Sequence, residues 1–133
     1  MEEDLIKSYY ATITYLDTLV GKLIKSLDDL GLSDNTTIVF WSDHGFFLGE
    51  HGMWCKHHTF QEAIHVPLII SSPKMKKGYE SNTMIEYIDL YPTICDIAGI
   101  KAPSYIHGKS FLQENFRKVT RMLQNEFHSL KSW

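Results

Sequence analysis

Asp43 and His44 stand side by side in Ser42-Asp43-His44-Gly45, and Lys56 follows in Trp54-Cys55-Lys56-His57-His58. A carboxylate next to an imidazole suits a divalent cation, because one is a hard oxygen donor and the other a borderline nitrogen donor. A lysine held among aromatic groups near such a cation suits recognition of an anion such as sulfate or phosphate. Two ligands cannot complete a metal site, so further donors must come from elsewhere in the fold. The plain alternative is that Asp43 caps a turn, His44 is a polar loop residue and Lys56 is a solvated surface cation. His51, His57, His58 and His65 add imidazoles, but no C-x-x-C or H-E-x-x-H spacing marks a zinc site. Cys55 and Cys95 are isolated thiols that say little about redox compartment.

The elements around these residues explain their placement. Thr36 to Trp41 is β-branched and aromatic, which predicts a strand, and its lack of polar alternation predicts burial on both faces, as in a parallel sheet. In open α/β sheets, ligands sit beyond the carboxyl ends of the strands. Asp43 and His44 fall at such an end, where Gly45 lets the backbone turn sharply. His65 to Ile70 reads as a second strand entered through Pro67. Between Trp41 and Val66 lie 24 residues without helix or strand periodicity, whereas compact domains usually join elements with about 4–6 residues. Phe46, Phe47, Met53, Trp54 and Phe60 are too many large apolar groups for a disordered linker, so an ordered functional loop is expected.

Apolar residues at Ile6, Tyr9, Tyr10, Ile13, Leu16, Val20, Leu23, Ile24 and Leu27 predict a helix within residues 5 to 30, closed by Gly31. Lys74 to Gly78 reads as a solvated basic turn. Asp89 is expected to cap a helix from Leu90 to Ala98, with Pro92 in its first turn and Gly99 at its end. Residues 112 to 130 again carry apolar side chains at helical spacing. Helix, strand, loop, strand, helix is the order of an α/β domain, here with a mostly parallel central sheet flanked by helices.

With 133 residues and 44% hydrophobic content, the chain is one domain or part of one. A net charge of −3 with no run of either sign argues against a nucleic-acid groove or a polybasic membrane patch. No apolar stretch nears the ~20 residues of a membrane span. The acidic start Met1-Glu2-Glu3-Asp4 is not that of a signal peptide, and the compartment stays open.

The string S-D-H-G-F-F-L-G-E-H-G-M-W-C-K at 42–56, followed by H-V-P-L-I-I at 65–70, resembles the carboxyl-terminal half of the sulfatase catalytic domain, in its iduronate-2-sulfatase and choline-sulfatase-like branch. The similarity includes Y-Y-A-T-I-T-Y-L-D-T-L-V-G-K-L, L-D-D-L-G-L-S-D-N-T-T-I-V-F, Y-I-D-L-Y-P-T-I-C-D-I-A-G-I and H-G-K-S-F, and it covers about residues 8 to 112. It implies an alkaline-phosphatase-like α/β sandwich and hydrolysis of a sulfated small molecule or glycan. In such enzymes a cysteine in C-x-P-S-R is oxidised to formylglycine, whose hydrate attacks sulfur while a calcium ion polarises the sulfate. On this resemblance Asp43 is a metal ligand and His44 occupies the adjacent ligand position, histidine in this branch and asparagine in others. Lys56 matches the lysine that contacts the sulfate and stabilises its developing charge, and His57 is a pocket residue. A histidine on calcium is unusual for a hard ion, so His44 could instead touch the sulfate or serve another divalent metal.

The departures set limits. Cys55 reads C-K-H-H-T and Cys95 reads C-D-I-A-G, so neither lies in C-x-P-S-R. The family's amino-terminal Asp-Asp metal pair, and the lysine and histidine that assist its nucleophile, are not in the sequence either. Residues 1–112 are therefore expected to form the carboxyl-terminal half of a catalytic domain, 113–133 a divergent helical tail, and the chain alone to be inactive. A phosphodiesterase or phosphonate hydrolase of the same superfamily is the alternative activity. A non-catalytic module that self-associates through exposed sheet edges is the alternative class.

Overall fold

A computed structural model describes residues 1–112 other than 74, 76, 77 and 79. The chain divides into two compact units, Met1–Ile69 and Ile70–Trp133.

The first unit opens with α1 (Glu2–Asp29), whose first turn holds Glu2, Glu3 and Asp4. These acids complement the positive end of the helix dipole. Exposed pairs one turn apart, Glu3–Lys7 at 3.4 Å and Lys25–Asp29 at 2.6 Å, add about 0.3–0.5 kcal/mol each. The helix ends as predicted at Gly31, with φ 66°. The Leu32 amide donates to Leu27 and the Gly31 amide to Asp28, the paired bonds of a Schellman closure. No residue of α1 is buried.

β1 (Ile38–Trp41) follows, two residues shorter at its start than predicted, and shares a two-stranded sheet with β4 (Leu68–Ser71). The expected burial on both faces is not seen: Ile38, Val39 and Phe40 are half-buried and Trp41 is exposed. Among the described residues this sheet has two strands, so β1 belongs to a narrow sheet edge and not to the middle of a wide sheet covered by helices on both faces.

The long connection is ordered, as expected, but not structureless. β2 (Phe47–Leu48) and β3 (Trp54–Cys55) pair antiparallel, with Phe47 opposite Cys55 and Leu48 opposite Trp54. A 3₁₀ turn at Glu50–Gly52 joins them, and α2 (Gln61–Ile64) leads on to β4. Phe47 is fully buried under this hairpin, and Phe46 stacks on Tyr9 of α1 at 5.0 Å.

The second unit holds α3 (Leu90–Ala98), closed at Gly99 with φ 72° as expected. The role given to Asp89 needs correction. Its carboxylate does not cap α3; it accepts the amides of Glu86 at 3.1 Å and Lys109 at 2.8 Å. A 3₁₀ turn at Tyr87–Asp89 runs directly into α3, so Asp89 is already in a helical conformation (φ −78°, ψ −19°) and its side chain serves the turn behind it. Fully buried Thr93 donates to the Asp89 carbonyl and accepts the Phe111 amide, among Leu90, Cys95 and Phe111. All but the first residue of the helix expected over residues 112–130, the tail 113–133 and most of the Lys74–Gly78 turn lie outside the described residues. No helix among the described residues is long and apolar enough to cross a membrane.

Candidate metal and anion site

The end of β1 passes into a turn that Ser42 closes, its hydroxyl donating to the His44 carbonyl at 2.6 Å. Gly45 then donates its amide to the Ala63 carbonyl of α2 at 2.8 Å. A Cβ at this position would lie 1.8 Å from the Glu62 carbonyl oxygen, so only glycine lets the two backbones meet. The turn leaves Asp43 74% exposed and His44 exposed at its crest.

Lys56 reaches the same point from the other arm. Its Nζ lies 2.6 Å from Asp43 Oδ2. This hydrogen bond, reinforced by the ammonium charge, holds the Asp43 carboxyl below its usual value. Cys55, just before Lys56, has a left-handed backbone with φ 69°, which turns the chain out of β3 at the lysine. Sequence reasoning thus named two residues that the fold brings together, Asp43 and Lys56. His57 is exposed and stands outside this contact.

The hairpin that carries Lys56 is braced by groups the sequence reading missed. The Leu48 amide donates to Glu50 Oε2 at 2.6 Å, and that bond lowers the Glu50 carboxyl below its usual value. His51, at the hairpin tip, stacks on Phe60 with ring centroids 4.8 Å apart, and its Nε2 lies 3.2 Å from Glu62 Oε1. The rings of His51, His58 and Phe60 stand edge-on to Phe47 at 5.6–6.5 Å. In the sequence His51 is one of four imidazoles whose spacing marks no zinc site; the glycines at 49 and 52, both at positive φ, are the available sign of a tight turn there.

The donor set fits part of a metal shell. Asp43 offers an exposed, readily ionised oxygen donor and His44 a nitrogen, against the six to eight oxygens of a typical calcium shell. Among the described residues no group of three or more His, Cys, Asp or Glu side chains could hold an ion. A cation here would need donors beyond those two. The cysteines do not fit the formylglycine role: Cys95 is buried in α3, and Cys55 sits in the hairpin outside any C-x-P-S-R motif.

The family model described as Sulfatase matches residues 2–100, which include both arms of the site. The chain belongs to the sulfatase family. Human iduronate 2-sulfatase is 36% identical over 144 aligned residues, which cover 90% of this sulfatase-family chain and 26% of that relative. A solved structure of a protein in complex with its substrate D-glucosamine-2-N,6-O-disulfate is 39% identical, with a TM-score of 0.65, over 82% of this chain and 23% of that one. The phosphonate monoester hydrolase from Silicibacter pomeroyi is 37% identical, with a TM-score of 0.69, over 77% and 20%. These likenesses make the fold alkaline-phosphatase-like α/β. The sulfatase-family chain spans about a quarter of the length of such relatives.

Proposed function

We propose that this chain carries the metal- and sulfate-contacting part of a sulfuric ester hydrolase acting on a sulfated small molecule or glycan. The observation that carries this reading is the meeting of Lys56 Nζ and Asp43 Oδ2 at 2.6 Å beyond the end of β1. Asp43 and His44 would hold a divalent cation, calcium by family resemblance, and Lys56 would contact the sulfate, with His57 beside it. A cation bound there would supply positive charge against the sulfate oxygens. Lys56 contributes a compact positive charge where negative charge builds on the ester, and its contact with ionised Asp43 keeps that charge oriented before substrate arrives. His44 in the alternative role would donate to a sulfate oxygen.

The 133-residue chain alone should not turn over an aryl sulfate, because no C-x-P-S-R nucleophile stands in its sequence. Metal-dependent turnover that Lys56→Ala abolishes would overturn that expectation. The activity itself is tested by grafting residues 2–100 into the matching span of the relative solved with the disulfated glucosamine. The graft should hydrolyse that sugar sulfate, and Lys56→Ala should lower kcat/KM by about 10²-fold or more. A folded, metal-loaded graft indifferent to Lys56→Ala would refute the role of the lysine. The phosphonate hydrolase likeness supports a second reading, hydrolysis of a phosphonate monoester. Higher kcat/KM for a phenyl phosphonate monoester than for the aryl sulfate would favour it.

A further inference from the structure

The two arms of the site meet the same four-residue helix. On one side, α2 accepts the Gly45 amide through Ala63 and packs its Glu62 carbonyl where a Gly45 side chain would be. On the other, the Glu62 carboxylate contacts His51 at the tip of the hairpin that delivers Lys56. His51 adopts φ 55° and ψ 20°, a left-handed conformation uncommon for a side-chain-bearing residue. Such a conformation persists where its surroundings over-determine it. Here those surroundings are the Glu62 carboxylate, the stacked Phe60 ring and the buried Phe47 ring. Lys56 sits on a flexible four-carbon stem and is 38% exposed. That stem can adopt many rotamers, so a single persistent 2.6 Å contact with Asp43 needs the hairpin and the Asp43 turn held within reach of each other.

We infer that Glu62 is a positioning residue for the Asp43–Lys56 pair, acting through His51 to clamp the hairpin onto α2. The inference deepens the sulfatase reading and rests on it for its catalytic meaning. Its geometric content can be tested without any turnover. In the ¹⁵N-labelled 133-residue chain, the Lys56 ammonium should give a cross-peak slowed from solvent exchange by its contact with Asp43, assigned by its loss in Asp43→Asn. Glu62→Ala and His51→Ala should each broaden that cross-peak beyond detection, while amide signals of α1 and α3 stay in place. Glu62→Gln keeps an acceptor oxygen for His51 Nε2–H and should restore it. An unchanged Lys56 signal in Glu62→Ala would overturn the inference. Should Glu62→Ala fail to fold, His51→Ala decides by the same criterion. Failure of the ester assays with these NMR results intact would count against the sulfatase reading alone.

Discussion

Asp43 carries a charge that its neighbour has already committed. The Lys56 hydrogen bond favours the ionised carboxylate and lowers its pKa in the folded chain. The sign follows from linkage: with the folded value below the unfolded one, the pair contributes stability above the unfolded carboxyl value, and that stability is lost as pH falls through the folded value. Lys56→Ala should therefore raise the Asp43 pKa toward the ordinary carboxylate value, as read from its carboxyl ¹³C shift. The acid limb of the unfolding curve should lose the corresponding contribution. Cys55 gives a second residue-scale prediction. A side chain at φ 69° costs about 1–2 kcal/mol that glycine avoids, and Cys55 is exposed, so Cys55→Gly should raise the unfolding free energy by up to about 1 kcal/mol in urea titration. Asp43 and Lys56, which the fold brings together, stood out in the sequence through Asp43's place at a strand end, Lys56's place among aromatics in the long loop and the motif that links them. Glu62 was not, because Gln61-Glu62-Ala63-Ile64 carries no motif and its meaning arises only when the chain folds Ala63 against Gly45.

At the scale of elements, legibility followed length. α1 spans 28 residues and α3 ends on a glycine at positive φ, so periodicity and punctuation both marked them. β2 and β3 are two residues each, too short for any period to register, and the hairpin passed for irregular loop. Asp89 was misplaced because a 3₁₀ turn before α3 is invisible to a capping rule that assumes an extended residue at the cap. Two glycines test how tightly the elements are joined. Gly21 lies mid-α1, and a Cβ there would meet nothing within 4 Å, so Gly21→Ala should stabilise the chain by about 0.5–1 kcal/mol. Gly45→Ala drives a methyl into the Glu62 carbonyl and should cost about 1–3 kcal/mol, with loss of protection at the Gly45 amide in hydrogen exchange. Equal effects at the two positions would contradict the docking of the Asp43 turn on α2.

For the molecule as a whole, the distribution of apolar surface is the informative quantity. Buried hydrophobic residues among those described are few, namely Phe47, Ala63, Ile70, Leu90, Cys95 and Phe111. Against them, the apolar face of α1 is only partly covered: Ile6, Tyr9, Val20, Ile24 and Leu27 are half-buried, while Leu16 at 45% and Leu23 at 65% exposure, with the neighbouring Leu19 at 42%, form an open strip. A helix of that length normally owes most of its stability to packing of its apolar stripe, and contiguous exposed apolar surface of this kind binds other apolar groups. The folded chain should therefore enhance the fluorescence of the dye ANS at neutral pH, a behaviour that most small folded domains lack. Leu16→Gln, Leu19→Gln and Leu23→Gln combined should reduce that enhancement severalfold. Because about half the surface of these residues is already in water, the melting temperature should change by no more than a few degrees, in line with the ±0.5 kcal/mol typical of surface substitutions. A fall in melting temperature well beyond that range would mean that the leucines are covered in solution and that the open face is occupied by chain or partner.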